Sequence, residues 1–209
     1  MINENFVYLG VLLNLIGGLK YIWDTLQGRT KPNQVTWFLW ALAPMVAFTA
    51  MIGQGVRIQA SLLTFMVGFN PLLIFIVSFM NKKSVWRLTK FDIICGCLSL
   101  LGIVGWALTR QGDVAILFSI MADALAALPT LVKSWKEPES ESWLVFLNGA
   151  ASALITLLTL TVWDFRHVGF TLYIFLIAIL LFVLIKFRLG PKLSRLLKTI
   201  SREDKKETI

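Results

Sequence analysis

Seven apolar stretches divide the chain, and each has about the 20 residues that a helix needs to cross a lipid bilayer. Lipid offers the backbone no hydrogen-bond partners, so a stretch that crosses it must be helical. Hydrophobic residues make up 57% of the chain and charged residues 15%, which is more apolar than a soluble domain. The sequence therefore predicts an all-α membrane protein with seven transmembrane helices, at residues 6–23, 35–53, 60–80, 92–109, 114–133, 142–163 and 168–187.

The basic residues are divided unequally between the two sides of this predicted bundle. Sixteen Lys and Arg residues lie on the side of the C-terminus, and only Arg57, Arg110 and Arg166 lie on the side of the N-terminus. Because cytoplasmic loops carry the excess of basic residues, the N-terminus is predicted outside and the C-terminus in the cytoplasm, in the cell (inner) membrane. This asymmetry accounts for the net charge of +8 without a nucleic-acid partner.

Residues that usually carry catalysis or bind metals are scarce. Cys95 and Cys97 lie two residues apart on one predicted helix and point in different directions, so they can neither bridge nor share a metal. His167 is the single histidine of the chain. The sequence therefore predicts no enzyme, no metal site and no cofactor.

The chain repeats itself at an offset of 106 residues. Residues 25–43 align with 131–149, so that Pro32 falls on Pro138 and Trp37 on Trp143. Helices 1–3 match helices 5–7 in length and loop spacing, and helix 4 supplies the crossing that gives both triplets the same orientation. The predicted organisation is two parallel three-helix bundles joined by a linker helix, followed by a tail: 1–81, 82–112, 113–187 and 188–209.

The tail combines regularly spaced leucines with basic residues. Gly190-Pro191 is predicted to break the preceding helix, and Leu193, Leu196 and Leu197 then recur at helical spacing. This pattern predicts a basic amphipathic helix on the surface of the lipid bilayer.

The 3+1+3 arrangement, with a proline near the inner end of the first helix of a triplet and a basic loop after it, resembles the SWEET/PQ-loop superfamily. The best local match is DALAALPTLVKSWKEPESES (123–142), where Pro129-Thr130 stand at the Pro-Gln of the signature. Trp23-Asp24 stand at the corresponding place of the first triplet. The stretch KPNQVTWFLWALAP (31–44) is similar to uncharacterised bacterial membrane proteins of this type.

The resemblance implies a transporter of small solutes and marks candidate site residues. In SWEET-type transporters an Asn on the third helix of a triplet, with aromatic or polar residues on the second, faces the substrate. This implies Asn70, Trp40 and Asn148 as substrate-binding residues, and the alternative for Asn70 and Asn148 is that structural hydrogen bonds hold them. Leu176 stands at the position of the second triplet that matches Asn70.

Two ionisable residues lie inside the predicted spans, and such residues are usually functional. Asp123 shares a helix face with small or polar residues, and Gly17, its counterpart at the 106-residue offset, lies on a matching face of helix 1 with Asn14. The two faces either line a common cavity or pack closely. Asp123 could carry a proton near neutral pH, contact substrate or be held by structural hydrogen bonds. Lys20 either reaches the membrane surface or pairs with Asp123.

The leading prediction is a multi-pass membrane transporter of a small polar solute that works by alternating access. Asp123, Asn70, Asn14, Trp40 and Asn148 are predicted to line the path, with Asp123 coupling transport to protons. The alternatives are a SWEET-like sugar uniporter and a membrane receptor or scaffold that binds without translocating. A homo-oligomer is compatible with each.

Overall fold

The computed structural model describes residues 2–3, 5–53, 58–108 and 112–207, and these form α-helices, two short 3₁₀ turns and connecting loops. Arg57 and Arg110, which enter the predicted orientation, lie outside the described residues. The helices are α1 (Phe6–Leu26), α2 (Gln34–Gly53), α3 (Ile58–Val77), α4 (Lys90–Leu108), α5 (Gly112–Lys136), α6 (Trp143–Thr159), α7 (Phe165–Phe187) and α8 (Leu189–Glu207).

Each of the seven predicted spans corresponds to one helix from α1 to α7, with ends that differ by a few residues. Within the residues that the structure describes, three helical stretches are suited to crossing a membrane by length and composition: Phe6–Leu26, Ile116–Lys136 and His167–Phe187. Shorter apolar helical stretches occur at Gln34–Val46, Phe65–Val77 and Trp143–Thr159. The all-helical prediction is confirmed for the described part of the chain, and the apolar helices agree with a membrane protein.

Three loops meet at one end of the helices. The backbone N–H of Lys31 donates to the carbonyl oxygen of Ser140 at 2.8 Å, and Asn81 Nδ2 donates to the carbonyl oxygen of Leu26 at 2.7 Å. We call this end, formed by residues 27–33, 78–89 and 137–142, the basic end. At the opposite end the N–H of Ile2 donates to the carbonyl oxygen of Leu158 at 3.1 Å, so successive helices run up and down.

The helices pack in a pattern that is the same in both halves of the chain. Helix α3 packs against α1 and α2, and α7 packs against α5 and α6. Between the halves, α1 packs against α6, and α5 packs against α2, which are equivalent pairs at the 106-residue offset. Helix α4 covers α5 and α2.

Two hydrogen bonds across the halves occupy equivalent positions of the repeat. Thr130 of α5 donates to Thr36 of α2 at 3.0 Å, and Ser142, just before α6, donates to Asp24 of α1 at 3.3 Å. At the offset of 106, Asp24 corresponds to Thr130 and Thr36 to Ser142. The repeat in the sequence is thus also a repeat of contacts.

The boundary between α7 and α8 differs from the prediction. The break lies at Arg188, which adopts a left-handed conformation (φ 52°), and Gly190 and Pro191 belong to the first turn of α8. Proline fits there because the first N–H groups of a helix have no acceptor within the helix. At Gly190 a Cβ atom would overlap the carbonyl oxygen of Trp135, so glycine lets α8 approach α5 closely.

Candidate functional site

A cavity of about 490 Å³ takes lining residues from each of the helices α1 to α7, and therefore from both triplets. Most of the lining is aliphatic or aromatic. The polar side chains in it belong to Asn14, Asn70, Ser99, Ser119 and Asp123. Four predicted site residues, Asn14, Asn70, Trp40 and Asp123, are thus brought to one space.

Asp123 accepts a hydrogen bond of 2.8 Å from the hydroxyl group of Tyr173, which lies on α7 of the same triplet. The indole nitrogen of Trp40 lies close to the same carboxylate, and it is buried without a hydrogen-bond partner among the described residues. Sequence reasoning missed Tyr173. The available signal was a single phenol within the apolar span 168–187.

Lys20 does not pair with Asp123. Its ammonium group lies 2.5 Å from Asp24, one turn further along α1, and Arg29 Nε lies 2.9 Å from the same carboxylate. The side chain of Lys20 is 45% exposed. The predicted alternative of a Lys20–Asp123 pair is therefore corrected to a pair within α1, because residues four apart on a helix are neighbours.

Asn70 links α3 to α1 at the cavity wall. Its Nδ2 donates to Asn14 Oδ1 at 2.8 Å and to the Asn14 carbonyl oxygen at 3.0 Å. Gly18 packs so closely against it that a Cβ atom would lie 2.6 Å from Asn70 Cγ. Asn70 is only 3% exposed, and its Oδ1 has no donor among the described residues. This oxygen is therefore an unpaired acceptor within the packing of α3 against α1.

Asn148 lies beside the cavity, not in its lining. Its Nδ2 donates to the carbonyl oxygen of Leu13 at 2.9 Å, and its Cβ lies 3.1 Å from the position that a Cβ of Gly17 would take. Gly10 likewise packs on Ser152. Asn148 thus contributes to the contact of α6 with α1, and its predicted substrate-binding role stays a prediction. The glycines of the α1 face serve packing, whereas Asn14 faces the cavity.

Three buried polar side chains form a second cluster, at the basic end. Lys133 Nζ lies 2.7 Å from Glu141 Oε1, and the hydroxyl group of Tyr21 donates to Glu141 Oε2 at 2.6 Å. The side chains of Lys133 and Glu141 are fully buried. We call Tyr21, Lys133 and Glu141 the buried ion-pair cluster. Lys133 is one of the sixteen basic residues counted on the side of the C-terminus, and its ammonium group does lie at the basic end, where it is buried and paired.

Further groups hold Lys133 in place. Its ammonium group donates to the carbonyl oxygens of Lys31 and Ser140, and it lies 5.0 Å from the centroid of the Trp86 ring. An ammonium group buried with such partners is compensated by acceptors and by an aromatic face. The loops of the basic end are thus tied to α5 through one side chain.

A hydrophobic layer separates the cavity from the buried ion-pair cluster. The ring centroids of Tyr21 and Trp37 lie 4.8 Å apart, and both residues belong to a buried core with Ile74, Phe146 and Leu181. All of these except Tyr21 also line the cavity. This layer and then the cluster therefore lie between the cavity and the basic end.

No protein-family model, no curated protein and no solved structure matches the chain. Within the described part of the chain, no group of three or more His, Cys, Asp and Glu side chains is placed to hold a metal ion.

Proposed function

We propose that the chain is a multi-pass transporter that carries a small solute across the cell (inner) membrane by alternating access. The observation that carries this proposal is a cavity lined by both triplets, which contains Asp123 and is separated from the basic end by buried side chains. A solute site between two structural repeats is the arrangement that alternating access needs.

The proposed topology has seven transmembrane helices, with the N-terminus outside and the C-terminus in the cytoplasm. Two parallel triplets, α1–α3 and α5–α7, are joined by the linker α4, as in the SWEET/PQ-loop superfamily that the sequence resembles. The equivalent bonds Thr130–Thr36 and Ser142–Asp24 support this organisation. The excess of basic residues supports a cytoplasmic basic end.

In this orientation the same buried side chains separate the cavity from the cytoplasm. Opening it on that side requires the halves to separate at the basic end, and therefore requires the bond of Tyr21 to Glu141 and the bond of Lys31 to Ser140 to break. Both bonds join the first triplet or its loop to the segment before α6. They form the barrier that an inward opening must cross.

Asp123 is the proposed proton carrier. It lies in the cavity lining, and its hydrogen-bond partner Tyr173 is a neutral phenol rather than a cation. A carboxyl group in this setting can be neutral in one state of the cycle and charged in another. Proton binding and solute binding would then be linked at one side chain.

A reversible cross-link tests alternating access directly. Lys31→Cys and Ser140→Cys are combined in a Cys95→Ser, Cys97→Ser background, because the hydrogen-bonded backbones of Lys31 and Ser140 are neighbours, as a disulfide requires. Proteoliposomes are tested for uptake of sugars, amino acids and amines by mass spectrometry. Oxidation is expected to reduce flux to the level of protein-free vesicles, and reduction to restore it.

The same preparations separate a transporter from a receptor. A transporter accumulates solute when reduced and only binds it when oxidised. A receptor binds equally in both states and never accumulates solute inside the vesicles. Flux that persists through complete cross-linking would contradict the proposed opening at the basic end.

A further inference from the structure

The cavity has an acid without a basic partner. Among the described residues that line it, none is Lys, Arg or His. The helices packed against α5 bring the hydroxyl group of Tyr173 and the indole of Trp40 to Asp123, and α4 contributes Ser99, whose hydroxyl donates to the carbonyl oxygen of Ala122. A charged carboxylate in such surroundings is stabilised by a cation that comes from outside the chain.

The carboxylate of Asp123 favours a ligand that donates hydrogen bonds. It has acceptor sites beyond the one that Tyr173 fills. A ligand with N–H donors would satisfy them, whereas a carboxylate or phosphate ligand would meet like charge.

Aromatic rings form one side of the cavity. The ring centroid of Trp40 lies 5.2 Å from that of Trp37 and 6.3 Å from that of Phe146. The faces of tryptophan rings attract ammonium groups, and the effect is larger where water is excluded. The remaining lining is mostly aliphatic, so it offers few partners to the many hydroxyl groups of a sugar.

We propose that the ligand of this cavity is a lipophilic organic cation, a protonated amine with an apolar body, whose ammonium group binds Asp123. This inference depends on the proposed transport function in one respect: the amine that binds is taken to be the solute that is transported. A cavity of about 490 Å³ is in the size range that holds small organic ligands. The sequence predicts a small polar solute, and this proposal narrows that class to a solute with one polar group and an apolar body.

Competition at Asp123 gives a balanced exchange. When the ammonium group binds the carboxylate, the proton held there leaves, and when the proton returns, the ammonium group is released. One positive charge replaces another, so one amine cation moves in one direction for one proton in the other. No further ion is needed.

The test compares three molecules that share a phenyl ring on a short chain and differ in the polar group at its end. Binding of 2-phenylethylamine, 2-phenylethanol and phenylacetate to the purified full chain in lipid nanodiscs is measured by isothermal titration calorimetry at pH 7.5. The amine is expected to bind at least tenfold more tightly than the neutral alcohol, and phenylacetate is expected not to bind. Equal affinities for the amine and the alcohol would overturn the proposal without any substitution being made.

Two matched variants locate the site. Asp123→Asn keeps the shape of the side chain and is expected to abolish the preference for the amine, while Asp113→Asn on the same helix, outside the cavity lining, is expected to keep it. Retention of the tenfold preference in Asp123→Asn would place the amine elsewhere and overturn the site. Melting curves of both variants check that each is folded.

Flux measurements separate this inference from the proposed function. If the amine binds through Asp123 but does not accumulate in proteoliposomes, the ligand class stands and the transport function fails. If another solute accumulates while the amine neither binds nor moves, the transport function stands and the ligand class fails. Amine accumulation driven by an outward proton gradient supports both.

Discussion

The hydroxyl group of Tyr21 donates a hydrogen bond of 2.6 Å to Glu141, although 120 residues separate the two in the chain. Glu141 also holds the ammonium group of Lys133. One buried carboxylate thus connects α1 of the first triplet to α5 of the second. The consequences for stability can be measured.

Glu141→Gln removes the negative charge of this buried pair and leaves Lys133 without its counter-ion. Breaking a buried pair on one side costs about 3–5 kcal/mol, so the free energy of unfolding is expected to fall by roughly that amount. Chemical denaturation in detergent, followed by tryptophan fluorescence, measures it.

Glu139→Gln is the matched control. Glu139 lies two residues away and pairs with Arg188 at 3.1 Å, but both side chains are more than half exposed. Exposed pairs contribute about 0–1 kcal/mol, so this change is expected to have little effect. Equal losses in the two variants would show that burial does not govern the energetics of Glu141.

Gly18→Ala is expected to destabilise the chain because the new Cβ would meet Asn70 at 2.6 Å. Overpacking of this kind costs about 1–3 kcal/mol, and it also displaces Asn70 from Asn14. In contrast, a Cβ at Gly149 meets nothing within 4 Å. Gly149→Ala should therefore gain about 0.5–1 kcal/mol from lower backbone entropy in the unfolded chain. A Gly18→Ala variant as stable as wild type would contradict the close contact of α1 and α3.

Thr36→Val and Thr130→Val form a double-mutant cycle on the contact of α2 with α5. The coupling energy is expected to be about 0.5–1.5 kcal/mol, the usual net value of one hydrogen bond. Thermal unfolding of the wild type, the two single variants and the double variant measures this coupling energy. Additive effects would mean that the 3.0 Å bond between the two hydroxyl groups contributes nothing to stability.

Asp123→Asn is expected to remove the pH dependence of flux between pH 5 and 8, because an amide neither binds nor releases a proton in this range. Tyr173 is the titratable side chain that contacts Asp123, and as a phenol it stays protonated over this interval. The pH profile of solute flux in proteoliposomes provides the measurement, with Asp113→Asn as the control. A profile unchanged from wild type would assign proton coupling to another group.

Tyr173→Phe tests the partner of that carboxylate. It removes the 2.8 Å hydrogen bond and leaves the ring in place. The midpoint of the pH profile is expected to move to higher pH, because a carboxylate that loses a donor holds its proton more tightly. A shift to lower pH would show that the hydroxyl group does not stabilise the charged form.

Hydropathy alone was sufficient to predict the helices α1 to α7, because apolar length and loop polarity are local properties of the chain. The break before α8 was placed two residues late, since Gly190 and Pro191 suggested a stop, whereas proline is accepted in a first turn. The conformation of Arg188 that ends α7 has no signature in its residue type.

The candidate site was predicted in part. Asp123 and Asn70 stood out because polar groups are rare in apolar spans, and both line the cavity. The hydrogen-bond partners of a polar group, however, are set by the tertiary structure. Nothing in the sequence distinguishes Lys133 from the loop charges around it, or shows that Glu141 lies within reach of Tyr21. These pairings depend on how α1, α5 and the loop before α6 come together.

Gly17 stands where the second triplet carries Asp123, so only one of the two equivalent positions has a carboxyl group. In the proposed exchange, a carrier with a single acid moves one cation for one proton and therefore no net charge. The membrane voltage then does no work on it, and each pH unit across the membrane sustains a concentration ratio of about tenfold and no more.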